Sequence, residues 1–190
     1  MKCFLAVFLL FLTVALALPA QATDIELGAS YGHKTTTFDA NNSYDSESAT
    51  ASLSFYFWER VAVELSYTQA SGVRQEKVTP SDPQRTTYEK SEIGGADLIY
   101  VFADRKDFFQ PYIKGGAAYI SRQQKVKIEG WDTFTLDPEN AIVPSYGAGF
   151  KLAFTDSFGL KVGYEAWRTP IGNGQETEDS SLRVGLTWML

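Results

Sequence analysis

Along the last nine residues, Leu182 to Leu190, every second side chain is large and apolar, while those between are small or polar, with one arginine. A strand turns successive side chains to opposite faces, so this stretch has one greasy face and one wet face. The same alternation recurs in earlier segments, giving strands at about 24–33, 49–58, 61–69, 91–102, 109–120, 142–154, 157–167 and 181–190. The connections Trp58-Glu59-Arg60, Ala103 to Phe108 and Thr155-Asp156 are short. Those near 34–48, 70–90, 121–141 and 168–180 are long, polar and rich in Asn, Ser, Pro and Gly. Alternating long and short connections predict an all-β, antiparallel, up-and-down meander of eight strands, with four long loops on one rim and both termini on the other.

The two faces differ in kind. One carries Ile25, Leu27, Leu53, Phe55, Val63, Leu65, Leu98, Ile113, Phe150, Leu160, Val162, Val184 and Leu186, and no charge. The other carries Gly, Ser and Thr together with four acids, Glu26, Glu64, Asp97 and Glu165, and four bases, Lys114, Lys151, Lys161 and Arg183. No helix and no second apolar layer remains to cover eight greasy faces, so lipid is the expected covering. A midplane Arg or Lys on a lipid face costs about 2–4 kcal/mol, so the absence of charge there is informative. A lipocalin-like barrel would reverse the arrangement, with an apolar cavity and a polar outside. Here the small residues belong to the polar set and suit the inside of a narrow cylinder. The pattern therefore predicts a transmembrane barrel with short periplasmic turns and long extracellular loops.

Aromatics sharpen this expectation. Phe57, Trp58, Phe102, Phe108, Phe109, Phe154, Phe158 and Trp188 fall beside the short turns or the C-terminus. Tyr31, Tyr67, Tyr119, Tyr146 and Trp167 fall near the opposite strand ends. Two such girdles are expected at the two membrane–water interfaces.

Composition adds limits. Residues 1–22 begin with Met1-Lys2, continue apolar from Phe4 to Leu18 apart from Thr13, and end Ala20-Gln21-Ala22. That is the form of a cleaved secretory signal peptide, leaving 23–190 as one barrel domain. Cys3 would leave with the leader, so no disulfide or thiolate chemistry is expected in the mature chain. Without Lys2, 16 basic residues face 23 acidic ones, a net charge of −7. Such a chain offers no basic patch for nucleic acid, and none is expected as a partner.

Phe109-Gln-Pro-Tyr-Ile-Lys-Gly-Gly-Ala-Ala-Tyr119 resembles the fifth strand of small OmpA-like barrels. The stretch from Ser145 through Thr155-Asp156 to Arg168 resembles the hairpin of strands six and seven in that superfamily. The C-terminal strand is similar to the signal read by the outer-membrane assembly machinery, although the family usually ends in Phe and this chain ends in Leu190. This resemblance to OmpA-like and OmpX-like barrels covers the whole mature chain by pattern more than by signature. It implies residence in the Gram-negative outer membrane, contact with its lipid and lipopolysaccharide, and assembly by periplasmic chaperones and the barrel-assembly machinery. The resemblance ends at strand eight, so the peptidoglycan-binding domain of full OmpA-type proteins is not expected. A structural or surface-interacting role is expected, with a narrow porin-like channel for ions or small solutes as the alternative.

The chemistry points the same way. Eight strands close to a bore that side chains nearly fill, and charges confined there need partners. The eight inward charges are therefore expected to pair across the lumen. An outer-membrane lipid enzyme would place a His beside a Ser or Asp near the outer rim. His33, the single histidine, lies there, but Lys34 and a Thr run follow it, and a lipid A palmitoyltransferase would open with an amphipathic helix where Asp24 to Gly32 is a strand. No catalytic set, metal cluster or cofactor is expected. Binding would belong to the long loops. In the first, Lys34 faces Asp39, Asp45 and Glu47; in the fourth, Arg168 faces Glu176, Glu178 and Asp179. Asn41-Asn-Ser43 matches a glycosylation acceptor that means little in this compartment. Lys125-Val-Lys-Ile-Glu129 alternates, turns at Gly130 and returns through Phe134-Thr-Leu136, which predicts a hairpin projecting above the membrane.

Overall fold

The structure, a computed structural model, describes residues 24–39, 42–77, 83–136, 139–171 and 175–190. The segment 1–22 expected to be a signal peptide, Asn41, and the side chains of Lys34, Asp39, Arg168, Glu176 and Glu178 lie outside what is described. The strands are β1 (Asp24–Asp39), β2 (Asn42–Trp58), β3 (Val61–Glu76), β4 (Arg85–Val101), β5 (Phe109–Ile128), β6 (Phe134–Thr135), β7 (Glu139–Ala153), β8 (Phe158–Ile171) and β9 (Gln175–Met189). Eight of them form a closed antiparallel ring: neighbours in sequence pair, β5 pairs with β7, and β9 returns to β1. β6 only adds two residues to the upper end of β5. Closure leaves the ring without a free edge across the span.

Two features depart from the alternation-based expectation. First, the strands are longer. β1 and β2 pair out to Asp39↔Asn42, β3 and β4 to Glu76↔Arg85, and β8 and β9 to Ile171↔Gln175, so most of the four stretches assigned to loops is ladder. A membrane strand needs about 9–11 residues; the surplus stands beyond the tyrosine girdle, where outward positions become His33, Glu47, Gln69, Lys90 and Glu92. With water outside and polar groups such as Arg122 and Glu89 packed inside, the hydropathy alternation is lost there while β-forming Thr, Val and Tyr keep the backbone extended. The projecting β5–β6 hairpin forms as the sequence suggests: Lys125 and Val126 pair with Thr135 and Phe134, and Gly130 turns the chain at φ 83°, a conformation that costs glycine little.

Second, the inward face is less polar than the small and charged residues indicate. Tyr56, Ala62, Ile99, Val101 and Tyr112 form an apolar cluster near the short-turn rim, with Met189 against it. Ile93, Ala118, Ile120 and Val143 form another toward the opposite rim. Both belong mainly to the β3–β4–β5–β7 wall. The facing wall, from β8 through β9 and β1 to β2, presents Gly163, Gly185, Gly28, Ser30, Ser52 and Thr50 inward. Size explains the division. Tyr112 crosses the bore, and its hydroxyl lies where a side chain at Gly149 or Gly163 would stand.

Candidate functional site

Seven strands deliver the eight charges to the lumen: Glu26 from β1, Glu64 from β3, Asp97 from β4, Lys114 from β5, Lys151 from β7, Lys161 and Glu165 from β8, and Arg183 from β9. Six of them are buried; Lys161 and Glu165 are half-buried. The period of two puts each on the inward side, and ring closure brings opposite walls within reach.

They sort into two groups. Lys114 Nζ is the hub of the larger, at 3.0 Å from Glu64 Oε1, 3.2 Å from Asp97 Oδ2 and 2.6 Å from Glu165 Oε1. Lys161 Nζ lies 2.5 Å from Glu64 Oε2, and Arg183 Nη1 2.5 Å from Glu165 Oε2. Ser145 donates to Asp97 at 2.5 Å, and Ser54 to Glu64 at 3.3 Å. Three carboxylates thus balance three cations. The smaller group is a triangle near the short-turn rim. Lys151 Nζ lies 2.7 Å from Glu26 Oε2 and donates to the Tyr56 hydroxyl at 2.6 Å, while that hydroxyl donates to Glu26 at 3.1 Å. Each group is neutral by itself, which relieves the cost of burying its charges.

Beneath the triangle, the β4–β5 turn closes over the short-turn rim. Arg105 pairs with Asp24, stacks 4.8 Å from the centre of the Tyr56 ring, and is held through its carbonyl by Gln110 at 2.9 Å. Arg60 pairs with Asp104 in solvent.

A third polar group had no counterpart in the sequence reading. Beyond the span, Arg122 Nε lies 2.8 Å from Glu89 Oε1 and its Nη2 2.8 Å from Asp179 Oδ2. Burial opposes the Arg122 charge, but Glu89 and Asp179 outweigh it and raise its pKa. Burial, with Glu89 nearby, also pushes the Tyr44 phenol up. These residues fell in stretches read as loops. The signal was there: Ile120, Arg122 and Gln124 continue the inward parity of Lys114.

The aromatic girdles divide unevenly. Tyr31, Tyr67, Tyr119 and Tyr146 stand exposed on the outward face toward one rim. Trp58, Phe102, Phe108, Phe109, Phe154, Phe158 and Trp188 stand exposed toward the other, with Phe57 half-buried against Trp58. Trp167 does not belong with them. It pairs in register with Ser145, whose side chain reaches Asp97, so it faces the lumen, where it packs on the Ile93–Val143 cluster and lies 6.0 Å from the Arg183 guanidinium carbon. Its parity with Glu165 decides this; proximity to the strand end misled. His33 is exposed on β1 and pairs in register with Glu47.

A ring of this topology, greasy outside and charged inside, defines a membrane barrel. The chain belongs to the outer membrane protein beta-barrel domain family, whose model matches residues 4–189. Among solved structures it is similar to OprG of Pseudomonas aeruginosa (11% identity over 90% of this chain and 97% of that one, TM-score 0.62). It is also similar to the N-terminal β-barrel domain of Pseudomonas aeruginosa OprF (17% identity, 88% and 97% covered, TM-score 0.59). A third is Ail, the attachment invasion locus protein of Yersinia pestis, in complex with the heparin analogue sucrose octasulfate (13% identity, 90% and 100% covered, TM-score 0.58). At these identities the likeness establishes the fold. A comparison with curated proteins finds no match.

Proposed function

We propose that this outer-membrane barrel is a structural and surface-presenting protein without catalytic turnover, its lumen closed to solutes by the two charge groups. The observation that carries this reading is Lys114, which ties carboxylates of β3, β4 and β8 to β5 inside the bore. Opening a solute-wide passage would separate several of these pairs at once, and an unpaired buried charge is costly. The lipid and lipopolysaccharide of the outer membrane surround the girdled wall. The projecting strands, with Lys125, Lys127 and the exposed Trp131, offer the surface on which an extracellular ligand would dock. A signal peptide ending at Ala22 and assembly through periplasmic chaperones and the barrel-assembly machinery complete the reading.

Liposome swelling tests it. Proteoliposomes should swell in arabinose no faster than protein-free liposomes; porin-like swelling by the folded protein would overturn the closed lumen.

A further inference from the structure

The charges inside the bore are paired; those on the outward face of the projecting strands are not. Lys90 of β4 and Lys125 of β5 stand exposed there, and among the described residues neither makes an ion pair. They do so on a chain whose net charge is negative.

Beside Lys90 the outer wall is hollowed, and strand register sets the shape. Tyr31, Ala49, Gln69 and Glu92 form one outward row across β1 to β4, and Glu47, Ser71 and Lys90 belong to the next row up. The small Ala49 and Ser71 between longer neighbours leave an open groove of about 450 Å³, within the range of about 300–1,000 Å³ usual for small-molecule sites. From β2 to β4 it spans two strand spacings, about 10 Å. Its lining is tied to the girdle. The Tyr31 phenol hydrogen-bonds Glu47, and Gln69 Nε2 donates to the Tyr67 hydroxyl at 3.2 Å. The groove therefore lies at the height where the apolar wall gives way to lipid headgroups. One row below, Gly94 stands in register between Tyr67 and Tyr119, and a side chain there would meet nothing within 4 Å. That leaves a bare slot between two rings, leading down onto the lipid-facing wall.

The lining selects a particular chemistry. Glu47 and Glu92 accept hydrogen bonds, Gln69 and Ser71 both donate and accept, and Lys90 brings one positive charge. Inorganic phosphate would meet two carboxylates for one ammonium, and a phosphatidylglycerol headgroup offers few donors to satisfy those carboxylates. A phosphorylated sugar offers hydroxyl and amide donors beside its phosphate. We propose that this groove seats the phosphorylated disaccharide headgroup of a lipopolysaccharide molecule, its phosphate on Lys90, its hydroxyl and amide groups on Glu47, Gln69, Ser71 and Glu92, and an acyl chain in the Gly94 slot. Lys125 stands one row higher on the neighbouring strand, placed for a second anionic group of the same molecule. The inference rests on the outer-membrane reading above and turns lipopolysaccharide from a surrounding solvent into a ligand with a defined seat.

The test folds the protein into phosphatidylcholine nanodiscs carrying equal amounts of diphosphoryl lipid A and phosphatidylglycerol. Folding is checked by heat-shifted gel migration, and retained lipid is counted by native mass spectrometry. The wild type should hold lipid A in preference to phosphatidylglycerol. Lys90→Glu, and separately Ser71→Trp, which fills the groove, should each weaken retention by about tenfold, the effect of losing one charge-assisted contact. Lys106→Glu on the short-turn rim makes the same charge change and should leave retention as it was. Equal retention of phosphatidylglycerol, displacement of lipid A by inorganic phosphate, unchanged retention in both groove variants, or an equal loss in Lys106→Glu would each overturn the seat. None of these substitutions reaches the bore, so arabinose swelling still reads the closed lumen separately.

Discussion

The two charge groups of the lumen solve one problem differently. Around Lys114 the compensation is shared: one ammonium serves three carboxylates, and two of these also serve Lys161 and Arg183. Near the short-turn rim the compensation is local. Lys151, Glu26 and Tyr56 satisfy one another beside an apolar cluster. A shared arrangement cross-links many strands but leaves several charges unpaired when its centre is lost. A local one can be exchanged as a unit for apolar side chains.

That contrast orders the mutational effects. The largest belongs to Lys114→Met, which leaves Glu64, Asp97 and Glu165 competing for two cations. A loss of about 3–5 kcal/mol is expected, the range for removing one partner of a buried pair, read from the urea midpoint of folding into lipid vesicles. Lys151→Met should cost less, because the Glu26 carboxylate keeps the Tyr56 hydroxyl and lies toward the rim. The sharpest comparison is the double replacement Glu26→Gln with Lys151→Met, expected to be more stable than Lys151→Met alone, since no unpaired charge remains. If the double variant is the less stable, the triangle is not a self-contained unit. Smallest is Arg60→Ala: its pair with Asp104 is exposed, so no resolvable change in the midpoint is expected.

A further comparison separates the two faces. In variants keeping a single tryptophan, brominated lipid should quench Trp188 strongly and Trp167 weakly, since the first stands on the outer wall and the second faces the bore. Equal quenching would return Trp167 to the girdle.

The outer wall was the more legible of the two. Its alternation, from Leu182 to Leu190 and through the other spans, reports on one solvent, and lipid tolerates few exceptions. The inner wall answers to neighbours instead. Glu26, Glu64 and Lys114 could be assigned to the bore by parity, but their pairing depends on ring closure, which period-two reading does not contain. Ile93, Ile99 and Tyr112 share parity with Asp97 and Lys114, yet no hydropathy rule singles them out as lumen packing. The projecting strands were the least legible. Thr86, Thr87 and Tyr88 favour extended backbone, but with water outside and polar groups inside the hydropathy contrast between the faces is weak. Arg122 lay hidden in such a stretch, although it keeps the parity of Lys114.

Planar-bilayer recording tests most directly whether the charge groups close the lumen. The wild-type barrel should show no large steady open state, and conductance should rise when Lys161→Ala or Arg183→Ala removes a cation from the larger group. A wide, steady channel in the wild type, or unchanged conductance in both folded variants, would contradict that closure.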